Sequence, residues 1–586
     1  MIVRLLGALT AMLGAAGVLL ALAGYAPVRA LLNPLAPDGS LEWLTVARYN
    51  WLRPALAGAG FLLAGLGWVT GWHRGWLRVG WDQLRGAVAA LRRDFRPAWQ
   101  ERGEWRALLA LTGLAAVLRL FFLDQPLGHD EAYTYIGFAR RSLAAVISDY
   151  HLPNNHVFHT LLAHFSTRLL GDAPWALRLP AFVAGVLTIP AGYALGRLWF
   201  NRRAGWLASG LLAAMPLLVG GSADARGYTL LALISLLCWL LGSYLKTHPL
   251  PAGWVLLGLL GGLGFYTVPV MLYPLGSLYA WLFVSIWFEP ETEQAHRGRA
   301  RYLLALTASG LWCGALAYLL YLPVLLVSGS AALFDNPFVQ PVPWLEFPAT
   351  LASRLGETWR EWQMDLHPLL TAWAVAGVGL SIALHSRASR SRVPVLLTTG
   401  AWMALVLLAQ RPNAWRKTWI WLLVLLLVLA AAGWAALLDA LRKKYAWKPE
   451  LPARIARSGL ICLALLALPW AAQRGLALAQ PGSAEQSAAF IAARMDADGI
   501  VLADGMDAPP IWYYLLRSGG SPAWFERLTE REAYSQAYVI VDGSNPAQSL
   551  ASVIASPGEM RRPLDAQTCR WVAEIQPYLI YRCAPR

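Results

Sequence analysis

WIWLLVLLLVLAAAGWAAL, residues 419–437, carries no charged side chain over a length close to the ~20 residues a helix needs to cross a ~30 Å hydrocarbon core. Comparable apolar blocks recur at 5–25, 55–72, 107–123, 180–200, 206–219, 230–245, 254–268, 271–288, 303–327, 369–384, 395–409 and 458–472. Thirteen spans predict an all-α polytopic membrane protein. The composition agrees: 57% of the 586 residues are hydrophobic and 14% charged, against about a quarter charged in a soluble domain. The 30 Trp and 21 Tyr suit belts at two water interfaces. Soluble multidomain, disulfide-scaffold and disordered classes are excluded.

Charge sets the predicted topology. Segment 74–106 holds eight Arg, and further basic loops surround Arg197, Arg202 and Arg203, then Lys246, then Arg297, Arg299 and Arg301, then Arg387, Arg390 and Arg392, and finally Arg442 to Arg457. Read as cytoplasmic, each neighbouring pair must enclose an even number of crossings. Stretch 154–171 is therefore not a span: crossing there would send the Arg197 loop outside and sink three histidines and Arg168 in lipid. It is expected as an interfacial amphipathic helix on the outer surface. Thirteen crossings from a cytoplasmic N-terminus leave the C-terminal segment outside. Net charge +15 is thus an orientation signal, and basic residues scattered over separate loops give nucleic-acid binding no support.

From about Gln473 the pattern changes to alternating short helices (484–495, 510–516, 547–555) and strands (499–503, 537–541), closed by a hairpin, which predicts a small extracytoplasmic α/β domain. From Arg474 onward 10 Lys and Arg stand against 12 Asp and Glu. Cys569 and Cys583 flank that hairpin symmetrically, and either a disulfide or two free thiols fits the spacing. The organisation read here is 1–106, a two-helix hairpin with a basic cytoplasmic segment; 107–328, a membrane module with the candidate site; 329–472, an outer loop and the last spans; and 473–586, the outer domain.

Four polar clusters stand outside the apolar runs. His129, Asp130, Glu131 and Tyr133 open the first long outer loop. Asp130 is a good N-cap for a helix running to about Val146, with Glu131 at the positive end of its dipole. A carboxylate so held is also a candidate general base. Asn154, Asn155 and His156 follow, with His159 one turn later. These are either polar residues at a helix edge or, with nearby carboxylates, a weak metal signal. Asp224, Arg226 and Tyr228 sit between two spans, where Arg226 either pairs with Asp224 or Asp130 or faces an anion. Arg411, Arg416 and Lys417 belong to a basic outer turn against the positive-inside trend, which is either a phosphate contact or a simple seven-residue polar turn. Asp496 and Asp498 form a DxD string at a helix-to-strand turn, with no metal role assigned. No phosphate-loop or zinc-protease motif is present.

The ordered series Arg119; Asp130-Glu131-Ala132-Tyr133; Pro153-Asn154-Asn155-His156; Leu177-Arg178-Leu179-Pro180; Gly196-Arg197; and Ala225-Arg226-Gly227-Tyr228 resembles the N-terminal module of GT-C glycosyltransferases. The likeness is nearest the group of protein mannosyltransferases, lipid A aminoarabinose transferases and RgtA/B/C/D-like enzymes. It implies inverting transfer of a sugar from a polyprenyl-phosphate donor to a lipid, glycan or protein acceptor on the outer face of the plasma (inner) membrane. Asp130 matches the base position, with Glu131 beside it. Arg226 matches a cavity arginine; by charge alone Arg411, Arg416 and Lys417 are further candidate ligands of the donor phosphate. His129, Tyr133, Asn155, His156, His159 and Tyr228 are the candidate substrate contacts. Many relatives carry His-Pro-Pro where this chain has Asn154-Asn155-His156. No cofactor is required; a divalent metal is compatible but not predicted. The rival readings are a transporter or flippase of lipid-linked sugars, which would favour repeated halves with a midplane site, and a noncatalytic glycolipid-binding subunit.

Overall fold

The computed structural model describes residues 2–33, 44–72, 82, 85, 103–248, 250–288, 295–335, 340–413, 416–448, 450–558 and 560–584. Most of the basic segment 74–102, and Ala414 and Trp415 of the outer basic turn, lie outside the described residues. Two compact units result: residues 1–120, 143–162 and 179–471, and residues 121–142, 163–178 and 472–586.

The first unit is a helical bundle. Among the described residues seven helices are long and apolar enough to cross a membrane, including Pro174–Trp199, Tyr228–Thr247, Pro269–Phe288 and Gly298–Leu320. Phe347–Gln363 and Pro368–Ala383, bent by 115°, make an eighth if taken as one span, and Thr10–Leu22, Pro251–Thr267 and Val395–Gln410 are shorter apolar helices. One expected span breaks: at 206–219 the chain forms Arg202–Ala214 and then Pro216–Gly221. Pro216 supplies no N–H and forces Met215 into extended backbone, which ends the first helix. The helices Tyr228–Thr247 and Ile420–Lys444 are apolar on all sides until their last two turns and occupy the core, as such helices must. The N-terminal helices Ile2–Leu22 and Val46–Trp72 pack as the expected hairpin. A Cβ on Gly14 would lie 2.2 Å from Ala64 N, so only glycine allows this approach.

Loops expected on one side of the membrane meet at one end of the bundle. Arg390 donates its backbone N–H to Trp199 O and its Nε–H to Phe200 O, Lys246 reaches Ser391 Oγ at 3.3 Å, and Arg203 pairs with Asp439. At the opposite ends of the same helices Lys417 pairs with Asp224 at 2.7 Å. Helix Val157–Leu170 forms where the interfacial helix was expected. Val157, His159, Thr160, Ala163 and His164 are buried, while Phe165, Arg168 and Leu169 are exposed.

The second unit carries a four-stranded sheet, β1 (Ile500–Leu502), β2 (Ala537–Asp542), β3 (Cys569–Ile575) and β4 (Tyr578–Cys583), in the order β1-β2-β4-β3. β1 and β2 are parallel; the other pairs are antiparallel. Helices Ser483–Ala492, Ala508–Arg517 and Leu550–Ala555 fall close to the stretches expected from sequence. Cys569 and Cys583 stand opposite each other in the β3–β4 register and form a disulfide. Segment 121–142 belongs to the same unit: Leu127 N–H donates to Tyr514 Oη, His129 Nδ1 lies 2.9 Å from Met506 O, and Tyr135 meets Tyr513 edge-on.

Candidate functional site

In the second unit Asp130 and Glu131 lie in the first turn of the short helix His129–Tyr133. The N-cap is Gly128, not Asp130, because Glu131 reaches back to accept the Gly128 N–H at 3.3 Å. Nor does the helix run to Val146. It passes into a π-turn at Thr134–Ala139 and stops before Leu143–Ser148. Gly137 allows this: a Cβ there would lie 2.8 Å from the Tyr133 ring. Such π-turns recur at functional sites.

The two adjacent carboxylates have different surroundings. Glu131 is buried and gripped by Arg178 through two parallel bonds, Nε to Oε1 at 2.7 Å and Nη2 to Oε2 at 2.6 Å. Arg178 gives its remaining N–H groups to Leu123 O, Gln125 O and Pro126 O, so one guanidinium fastens the chain leading into Asp130. In the sequence Arg178 shows only as a lone charge in an apolar run. Asp130 is half-buried, with its carbonyl accepting the Thr134 hydroxyl. Tyr133 is half-buried beside His129 and Phe138.

The first unit gathers most of the remaining candidates. Arg226 is buried and bonds through Nη1 to the carbonyl and side-chain oxygens of Asn154, while Nη2 lies 3.3 Å from His156 Nε2. Asp224 pairs with Lys417, 193 residues away, rather than with Arg226. His156 Nδ1 accepts the Gly227 N–H at 2.8 Å. Burial first, and then the Arg226 charge, hold the His156 imidazole well below the usual histidine range. A neutral ring whose Nδ1 accepts carries its proton on Nε2. Nε2–H and the Arg226 guanidinium are then two donors side by side, with Arg226 Nε also lacking a hydrogen-bond partner. Two adjacent buried donors call for a shared acceptor, and an oxyanion is the natural one.

Beside them His159 is fully buried with both ring nitrogens unpartnered. Burial, opposed in part by Asp224, lowers its pKa to about 4, so it is neutral near pH 7. Tyr228 meets His156 edge-on at 4.8 Å. Arg416 and Lys417 lie within electrostatic reach of Glu361. Asn155 turns away and caps the preceding helix through Val146 O and Asp149 O; its neighbour Asn154, missed as a contact, is the one that meets Arg226. Arg411 is also directed elsewhere, stacking on the Trp344 ring and donating to Val342 O. Among the described residues no group of three or more His, Cys, Asp or Glu is placed to hold a metal ion.

Residues 156–312 match the family described as dolichyl-phosphate-mannose-protein mannosyltransferase, a stretch that includes His156 and Arg226 and begins after Asp130. No curated protein matches the chain. Among solved structures it is similar to ArnT from Cupriavidus metallidurans bound to undecaprenyl phosphate, at 12% identity and TM-score 0.48 over 81% of this chain and 97% of that one. It is similar to the oligosaccharyltransferase of Archaeoglobus fulgidus in complex with Zn and sulfate, at 12% identity and TM-score 0.45 over 74% and 67%. Arabinofuranosyltransferase AftD from Mycobacteria gives 16% identity and TM-score 0.44 over 82% and 40%. The family match bears out the resemblance to GT-C glycosyltransferases, and the chain is read accordingly as a glycosyltransferase.

Proposed function

We propose that this chain is an inverting glycosyltransferase of the plasma (inner) membrane that moves a sugar from a polyprenyl-phosphate donor to a lipid, glycan or protein acceptor on the outer face. The reading includes thirteen crossings, a cytoplasmic N-terminus and an extracytoplasmic C-terminal domain. The observation that carries it is the buried pair of donors formed by His156 Nε2–H and Arg226, with the Lys417–Asp224 pair on the same unit. That is an oxyanion site built from hydrogen bonds and charge.

In the reaction, Asp130 takes the proton of an acceptor hydroxyl as its oxygen bonds to the anomeric carbon. The bond from that carbon to the phosphate oxygen breaks on the opposite face, and the electron pair leaves with the lipid phosphate. Arg226 and His156 meet the charge that develops there, with Arg416 and Lys417 adding to the field. Glu131, clamped by Arg178, orients the turn that presents Asp130. His159 and Tyr228 face the sugar, and Arg411 holds the outer loop through Val342 and Trp344. This chemistry requires no cofactor.

The test is transfer of radiolabelled sugar from polyprenyl phosphate by purified protein reconstituted in vesicles, scoring release of free polyprenyl phosphate. A flippase would move label across the bilayer without releasing it, and a binding subunit would retain it. Asp130→Asn should lower turnover at least ~10²-fold at unchanged thermal stability; near wild-type turnover by that variant would remove Asp130 from the role.

A further inference from the structure

At the other end of the bundle, away from the Asp224–Lys417 pair, the first unit holds a cavity of about 360 Å³ that the transfer reaction does not use. Its walls are Trp199, Phe200, Trp281, Ile382, Val395 and Leu429, and its size lies within the ~300–1,000 Å³ of small-molecule sites. Its rim is polar. Ser389, Ser391 and His385 also line it, and His385 Nε2 is buried with no hydrogen-bond partner. The surrounding charge is positive: Lys246 lies 4.4 Å over the Trp281 ring and bonds Ser391, while Arg390 and Arg392 flank Ser391 in the chain and are exposed.

An apolar chamber whose lining residues Ser391, Trp281 and Phe200 are touched by Lys246 and Arg390 is complementary to one class of molecule available at a bilayer: a lipid with an acyl chain and an anionic headgroup. Basic residues at the cytoplasmic ends of membrane helices attract anionic headgroups by about 1 kcal/mol each. Two of the apolar lining residues, Ile382 and Leu397, are exposed at 58% and 69%, so the lining includes apolar surface open to the outside. We infer that this cavity is a binding site for an anionic phospholipid, one acyl chain lying between Trp281 and Val395 and the headgroup phosphate held by Lys246, Arg390 and Arg392. Nothing in this assignment depends on the proposed transfer reaction.

The experiment uses full-length protein delipidated in neutral detergent and titrated with phosphatidylglycerol or phosphatidylcholine of identical chains, read by native mass spectrometry. Phosphatidylglycerol should bind at least ~10-fold more tightly, and the preference should shrink in ~0.5 M salt. The triple variant Lys246→Gln, Arg390→Gln, Arg392→Gln should lose it. Equal binding of the two lipids, or an unchanged preference in the triple variant, overturns the assignment. A test on the unmodified protein covers misfolding of the variant: phosphatidylglycerol with a photoreactive chain should label peptides containing Trp281 or residues 381–397 above other lipid-facing helices. Uniform labelling over those helices overturns the assignment.

Discussion

Arg178 and Arg226 are both arginines set among apolar residues, yet they are put to different uses. Arg178 spends every N–H on Glu131 and three carbonyls. Arg119 does much the same within the other unit, bonding Ser222 and the carbonyls of Ala115, Leu212 and Ala213 with no exposure to solvent. Arg226 stops short: Nη1 is engaged by Asn154, Nη2 faces another donor, and Nε has no partner. A saturated guanidinium is scaffold, while an incompletely satisfied buried one is prepared for a ligand, because an unmet buried donor costs about 1–3 kcal/mol until something meets it.

The largest effect expected from breaking this contrast is on stability. Arg178→Met leaves Glu131 buried and unpaired and should destabilise the fold by about 3–5 kcal/mol, with the double variant Arg178→Met, Glu131→Leu recovering most of the loss. Thermal unfolding in detergent measures both; a single variant as stable as the wild type would show the clamp to be dispensable. Arg226→Gln should do the reverse, lowering kcat/KM by ~10²–10³ while leaving the unfolding temperature within a few degrees. A large loss of stability with intact turnover would make Arg226 scaffold too.

A smaller effect tests how Arg119 is held. A Cβ on Gly185 would sit 2.0 Å from Ser222 Oγ and 3.2 Å from Arg119 Nε. Gly185→Ala should therefore displace the serine from the guanidinium, at about 1–3 kcal/mol of stability. Gly113→Ala, which meets open space, is the control.

The smallest effect is a pH dependence from the unsaturated side. The folded pKa of His159 is depressed to about 4 from 6.5, chiefly by burial, and His156 shifts in the same direction. Between those values the unfolded chain binds more protons than the folded one, so stability is complete above about pH 6.5 and falls as pH drops toward 4. His159→Gln should flatten that slope in unfolding measured from pH 7.5 to 4.5. An unchanged slope would mean that His159 does not titrate between the two states.

Much of this molecule is legible from local sequence. Apolar runs such as 419–437 report the cost of exposing side chains to water, which needs no knowledge of neighbours, and they yield helices where expected. Basic loops assigned to one side do meet, as Arg390 and Trp199 show. Alternation in the last hundred residues yields the sheet, and the hairpin symmetry brings Cys569 to Cys583. The break at Met215 was legible in Pro216, though the apolar run hid it.

The candidate site was legible in its membership but not in its pairings. Which arginine is saturated, which of two adjacent carboxylates is clamped, and whether Asp224 answers Arg226 or Lys417 were all decided by tertiary structure. Hydropathy and periodicity accumulate along the chain and survive in one dimension. Hydrogen-bond saturation is settled by groups brought from 47 or 193 residues away, and no local pattern records whether they arrive.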